Sequence, residues 1–350
     1  MKKPVLALAV ASVSALVLTG CSATAASESG GKDVIQIVAS TNVYGAIAEQ
    51  IGGDRVEVTS IITSASQDPH SYEASARDRL TVQDAELVIE NGGGYDSFID
   101  TLIGDSDVHV LTAAEFSHDY PGNEGHKDAD SHEHAEDEHA EEEAHDHAAE
   151  EGHDHAEEEG HGHAEEEGPE GHDHIEGFNE HIWFDPHTMI HVVEGIAAEF
   201  SEIDPEGEAD FTAAAAEIVS DLEGFEAELE TLGTEAGGAS VFLTEPLPGY
   251  IAAAAGLTDV TPEGFAEAVE EGTDVAPATL LAALDVIDSG QVKALLTNAQ
   301  TGGSETQRVE AAAEAAGVPV VAFTELLEEG SSYSEWMRDA IQDLAAALQQ

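Results

Sequence analysis

Cysteine is almost absent from this chain. Cys21 is the only one, so no disulfide forms within it and the fold must rest on buried apolar surface. Basic residues are nearly as scarce: 10 Lys and Arg face 74 Asp and Glu, a formal net charge of -64. That balance argues against nucleic acid as a partner and against docking on anionic lipid by charge. It suits a protein that handles cations, or one adapted to salt, and the sequence does not separate the two. The HExxH signature of helical zinc hydrolases is also missing. What the chain does have is an apolar fraction of 41% and 350 residues, enough for two domains with real cores.

Residues 1–21 read as a secretion signal. Lys2 and Lys3 give a positive start, Val5 to Leu18 an apolar run too short for a comfortable span, and Leu18-Thr19-Gly20-Cys21 a small-residue close. The last four residues resemble the bacterial lipobox. That implies cleavage before Cys21, acylation of its thiol, and a mature chain held outside the cytoplasmic membrane by lipid alone. Residues 22–32, rich in Ser, Ala and Gly, read as a flexible tether.

From Asp33 short apolar runs alternate with helical patterns. Residues 34–40, 56–62, 87–91 and 108–111 read as strands, and 43–52, 75–84 and 95–103 as helices between them. Such alternation predicts an α/β fold with a parallel sheet covered on both faces, where ligands gather at the carboxyl ends of the strands. QDPHSYE (67–73) lies at such an end, with Pro69 stiffening the entry to His70. His109 falls inside a strand run and reads as structural. Residues 206–233 carry Phe211, Ile218, Leu222, Phe225, Leu229 and Leu232 on one helical stripe, long enough to bridge two lobes as a strut and expected to end before Gly233. The second half repeats the alternation. Strands are expected at 240–245, 293–298 and 319–325, and helices at 249–255, 262–271, 277–289, 305–316 and 334–350.

Residues 117–177 interrupt this order. Thirteen of the 18 histidines lie between His118 and His174, many as His-x-His pairs among Glu and Asp. No apolar period accompanies them, so the run is expected to be disordered without metal and suited to loose capture of Zn, Cu or Ni. Just beyond it stands NEHIWFDPH (179–187), where His181 is flanked by Trp183 and Phe184. An imidazole fixed by bulky neighbours suits a metal ligand, and equally a half-buried histidine bonded to a carbonyl. Glu245 and Glu325 stand where strands of the second half end. Taken alone, each is more often a solvated loop carboxylate or a helix cap.

Taken together, the lipobox, DPHSYE, the His-rich insertion, HIWFDP, the long helix and a second α/β half resemble the TroA-like, or cluster A-I, zinc and manganese solute-binding proteins of bacterial ABC importers. The resemblance covers nearly all of 33–350. It implies two Rossmann-like α/β lobes, 33–205 and 234–350, joined by a rigid helix at 206–233, with one metal ion held between them. It also implies a non-catalytic monomer that delivers its ion to a membrane permease and ATPase. Carried over position by position, the resemblance puts the ligands at His70, His181, Glu245 and Glu325. Two imidazoles with two carboxylates resemble the manganese branch, while the His-rich run favours Zn2+. The competing class is a secreted metallohydrolase using His181, His187 and His191, and it lacks a general base placed by spacing.

Overall fold

The computed structural model describes residues 34–123, 175, 177–328 and 330–350. The expected signal and tether at 1–32, the lipidation residue Cys21 and most of the His-rich run lie outside the described residues. The edges of 117–177 that are described pack on the fold. Ser117 is buried, Tyr120 sets its ring edge-on to Phe178 at 5.6 Å, and Asn123 Nδ2 donates to the carbonyls of Glu115 and Ser117. No helix among the described residues is long and apolar enough to cross a membrane.

The first half runs β1 (Ile35–Thr41), α1 (Asn42–Gly52), β2 (Val56–Ile62), α2 (Ala76–Gln83), β3 (Leu87–Glu90), α3 (Phe98–Ile103) and β4 (His109–Thr112). Its strands form one parallel sheet in the order β2-β1-β3-β4. β1 is buried along almost its whole length because helices cover it from both sides, as a central parallel strand requires. Helix α3 begins three residues later than the pattern suggests. The Asp96 carboxylate accepts from the N–H groups of Asn91 and Gly92 at 2.7 and 2.8 Å, which holds 91–96 as a turn.

Two helices then follow, α4 (Pro186–Ile203) and α5 (Glu208–Ala236). Asp185 caps α4 by accepting from His187 N–H, with Pro186 in the first helical position. The α5 stripe of Phe211, Ile218, Leu222, Phe225, Leu229 and Leu232 is buried throughout, as expected. At 1.5 Å per residue the helix extends about 43 Å.

The second half comprises β5 (Ser240–Leu243), α6 (Gly249–Ala254), β6 (Thr258–Asp259), α7 (Ala266–Glu270), α8 (Pro277–Asp288), β7 (Val292–Asn298), α9 (Ser304–Ala316), β8 (Val320–Phe323) and α10 (Tyr333–Leu348). Its parallel sheet has the order β6-β5-β7-β8, the same as the first. The two-residue edge strand β6 carries too short a pattern to read in advance. Helix α5 packs on α1 and α4 from the first half and on α6 and α10 from the second. The halves also touch directly. Phe184 packs on Phe323 and Trp336 at 5.5 and 4.9 Å, Tyr333 Oη donates to the Trp183 carbonyl at 2.7 Å, and Asn42 Nδ2 donates to the Leu327 carbonyl at 2.8 Å. One apolar cluster runs through both sheets' inner faces, so the described residues form a single compact unit.

Candidate metal centre

His70 sits in a one-turn 3₁₀ helix, Pro69–Ser71, beyond the carboxyl end of β2. Asp68 builds the turn, accepting from His70 N–H at 3.0 Å while its Oδ1 also meets His70 Nδ1 at 3.0 Å. That leaves Nε2 aimed inward, 3.3 Å from Glu180 Oε1. Burial on its own would lower the His70 pKa, but Asp68, Glu180 and Glu325 outweigh it and hold it at about 10. Asp68 in turn is held at about 2, chiefly by its bond to His70.

His181 is fully buried. Its Nδ1 meets Asn179 Oδ1 at 2.7 Å, which directs Nε2 to within 3.5 Å of Glu270 Oε1. Asn179 is itself gripped by the second half: its Nδ2 donates to the Pro246 carbonyl at 3.0 Å and its carbonyl accepts from Tyr250 Oη at 2.9 Å. Aromatic rings wall the two imidazoles in. Tyr95 lies edge-on to His70 at 4.9 Å and Trp183 edge-on to His181 at 5.1 Å, while the imidazole centroids are 6.4 Å apart.

One ligand atom from each of His70, Glu180, His181 and Glu270 lies within 4.8 Å of the other three. Glu180 is placed by its own carbonyl, which accepts from Asn91 Nδ2 at 3.0 Å. Glu270 ends α7, so the second half supplies one wall of the cluster. Burial raises the Glu270 carboxyl to about 9, with repulsion from Glu180 adding to the rise. Imidazole nitrogen and carboxylate oxygen suit zinc and manganese alike, and the positive charge of His70 opposes the rise of the Glu270 carboxyl. A divalent cation relieves what is otherwise a stack of buried, mutually repelling carboxyls.

The resemblance set is therefore divided by the structure. His70 and His181 come together at the centre. Glu245 and Glu325 lie in the same buried patch but are tied to other donors. Asn298 Nδ2 donates to Glu245 Oε2 and to Glu325 Oε1, each at 2.7 Å, Thr301 Oγ1 donates to Glu245, and Tyr95 Oη donates to Glu325 Oε2 at 3.0 Å. Burial raises both of these carboxyls, Glu325 adds to the rise of Glu245, and His70 opposes the rise of each. The carboxylates that face the inward Nε2 nitrogens are Glu180 at 3.3 Å and Glu270 at 3.5 Å, neither of which was anticipated. Glu180 stood in view beside His181; Glu270 carried no local signal. His187 and His191, named for the hydrolase alternative, do not join His181. His187 faces Glu226 of α5 and His191 faces Glu194.

The family model for ZnuA, zinc-uptake complex component A periplasmic, matches residues 37–347. The chain belongs to this family. Among ZnuA-family relatives, the zinc-binding lipoprotein AdcA of Streptococcus pneumoniae is 25% identical over 273 residues, which are 77% of this chain and 46% of that protein. The manganese-binding lipoprotein MntA of Halalkalibacterium halodurans is 34% identical over 100 residues, 28% of this chain and 33% of MntA. The matches thus span a third to just under half of those relatives. The fold is shared with a crystal structure of ZnuA at TM-score 0.63 and 19% identity, covering 90% of this chain and 100% of that one. It is shared equally with the periplasmic zinc-binding protein TroA of Treponema pallidum, at TM-score 0.64 and 16% identity, covering 90% and 99%. The two-lobed α/β architecture joined by a long helix is the one the sequence patterns and the resemblance together implied.

Proposed function

We propose that this ZnuA-family protein is an extracytoplasmic lipoprotein, anchored through Cys21, that takes one Zn2+ between its lobes and passes it to the permease and ATPase of an ABC importer. The observation that carries this reading is the buried convergence of His70, Glu180, His181 and Glu270. Four N and O donors from three separate segments satisfy tetrahedral zinc with two carboxylates balancing its charge. Protein groups fill the surroundings of the cluster, which favours holding an ion over catalysis, where one position must stay open. In this reading Glu245 and Glu325 supply further negative charge from the Asn298 side. They enter as ligands for an ion of higher coordination number. That carboxylate surplus favours Mn2+ as the second reading.

Equilibrium competition against a chelator, run on the metal-stripped full-length chain with Zn2+ and with Mn2+, tests the assignment. His70→Ala is expected to weaken the tightest site at least about 100-fold, more than loss of an outer partner costs. Retention of that site in His70→Ala and in His181→Ala would remove the proposal. Glu270→Gln and Glu325→Gln then identify which carboxylates bind: zinc held by the inner four groups responds to the first change far more than to the second.

A further inference from the structure

Three histidines outside the cleft gather on the surface where α4 begins. His187 and His191 are four residues apart on one face of α4, with ring centroids 5.3 Å apart. His118, in the stretch following β4, brings its ring to 6.5 Å from that of His187. Zinc–imidazole bonds of about 2.0–2.1 Å put two rings sharing one tetrahedral ion roughly 5–6 Å apart, centroid to centroid. The His187–His191 centroid spacing lies in this range, and turning the rings brings their nitrogens onto one ion. His118 reaches it by a small rotation of a side chain that is 55% exposed.

Each ring also has one nitrogen facing a carboxylate. His187 Nδ1 lies 3.2 Å from Glu226 Oε1, His191 Nδ1 lies 3.7 Å from Glu194 Oε2, and His118 Nε2 lies 3.2 Å from Asp119 Oδ1. A carboxylate on one imidazole nitrogen fixes the tautomer whose other nitrogen carries the lone pair, and it raises that nitrogen's basicity. The His191 and His118 side chains are 39% and 55% exposed, open to a hydrated ion, while His187 presents a covered Nε2 behind them.

We infer that His118, His187 and His191, backed by Glu226, form a second site for an imidazole-preferring divalent cation such as Zn2+, Ni2+ or Cu2+. Its donors are ring nitrogens, in contrast to the carboxylate-rich cleft. Through the His187–Glu226 contact a bound ion joins α4 to α5, the helix that touches both halves. The site shares no residue with the cleft and stands whether or not the cleft holds an ion.

The test is a zinc chloride titration of the full-length chain with 15N-labelled histidine, read by long-range proton–nitrogen NMR of the rings. His118, His187 and His191 are assigned by single substitution. Because each ring reports separately, ions taken elsewhere do not enter the measurement. The His187 and His191 ring nitrogens are expected to shift together along one saturating curve, in the wild type and in His70→Ala alike. That second arm separates this site from the cleft reading. His187→Ala and His118→Ala are each expected to weaken the His191 response at least about tenfold, the cost of even an outer partner. His118 is exposed and His187 and His191 are half-buried at the surface, so the variants keep the fold. Rings that stay still through millimolar zinc, or a His191 curve indifferent to both substitutions, would overturn the site.

Discussion

Glu90 closes β3 beneath the turn that leads to Asn91, and burial lifts its carboxyl to about 8, with Asp96 adding to the rise. Thr112 Oγ1 donates to its Oε1 at 2.8 Å and pulls the other way without winning. An acid whose folded pKa exceeds its unfolded value of about 4.3 favours the fold while neutral. That contribution is complete below the unfolded pKa and is lost as the pH rises through about 8. Glu90→Gln keeps an acceptor for Thr112 and cannot ionise. It is expected to exceed the wild type in stability by on the order of 1–2 kcal/mol above that pH and to match it in acid. Urea unfolding across the pH range measures the difference, and parallel curves would refute it. The same distinction between local and tertiary cause explains which site residues could be read. Asp68 and Pro69 announce His70 because they shape its turn locally, and Trp183 and Phe184 announce His181. Glu180 stands one residue before His181, yet nothing local marks it as a ligand rather than a solvated acid. Glu270 is one of 74 acidic residues and differs from the solvated ones only because α7 packs it against the other half. That Asn298 ties Glu245 to Glu325 is likewise a tertiary fact.

At the level of elements, α5 departs instructively from its pattern. A glycine commonly ends a helix, yet α5 runs through Gly233 to Ala236, and Gly237 at φ 62° makes the left-handed close instead. Gly233 is there for packing: a Cβ on it would stand 2.7 Å from the Ala255 carbonyl oxygen, just beyond α6. Gly224, on the same helix, has nothing within 4 Å of that position. Helix propensity alone favours alanine over glycine by about 0.5–1 kcal/mol at both. Gly224→Ala is therefore expected to stabilise by that amount. Gly233→Ala is expected to destabilise by about 1–3 kcal/mol, because rigid backbone must give way to the new methyl. Chemical denaturation of the two variants decides it, and equal gains would mean α6 yields freely. Long periodic elements such as α5 and α10 were readable because their apolar residues repeat over several turns. The turn before α3 and the edge strand β6 were not, since an Asp96 side chain and two residues of pairing make them.

Across the whole molecule, two sheets of identical order face a shared apolar cluster, and α5 touches elements of both. The periodic patterns carried that plan, whereas the closure of the site between the halves depends on contacts no single segment encodes. The whole chain also carries a formal net charge of -64, and like charges drawn together oppose folding. Two kinds of cation effect should therefore separate. Monovalent salt acts by screening, as the Debye length falls from about 10 Å at 0.1 M to about 3 Å at 1 M. Raising KCl across that range is expected to lift the melting temperature of the metal-stripped wild type and of His70→Ala by a similar few degrees, since neither needs a site for it. A bound cation acts by mass action, worth about 2.7 kcal/mol at a hundredfold excess over its dissociation constant. Micromolar Zn2+ at fixed salt should therefore stabilise the wild type well beyond His70→Ala. Calorimetric scans of both proteins resolve the two effects. If KCl left both melting temperatures unchanged, the acidic surface would be shown to cost the fold nothing. If zinc raised both equally, its stabilisation would have to come from outside the cleft.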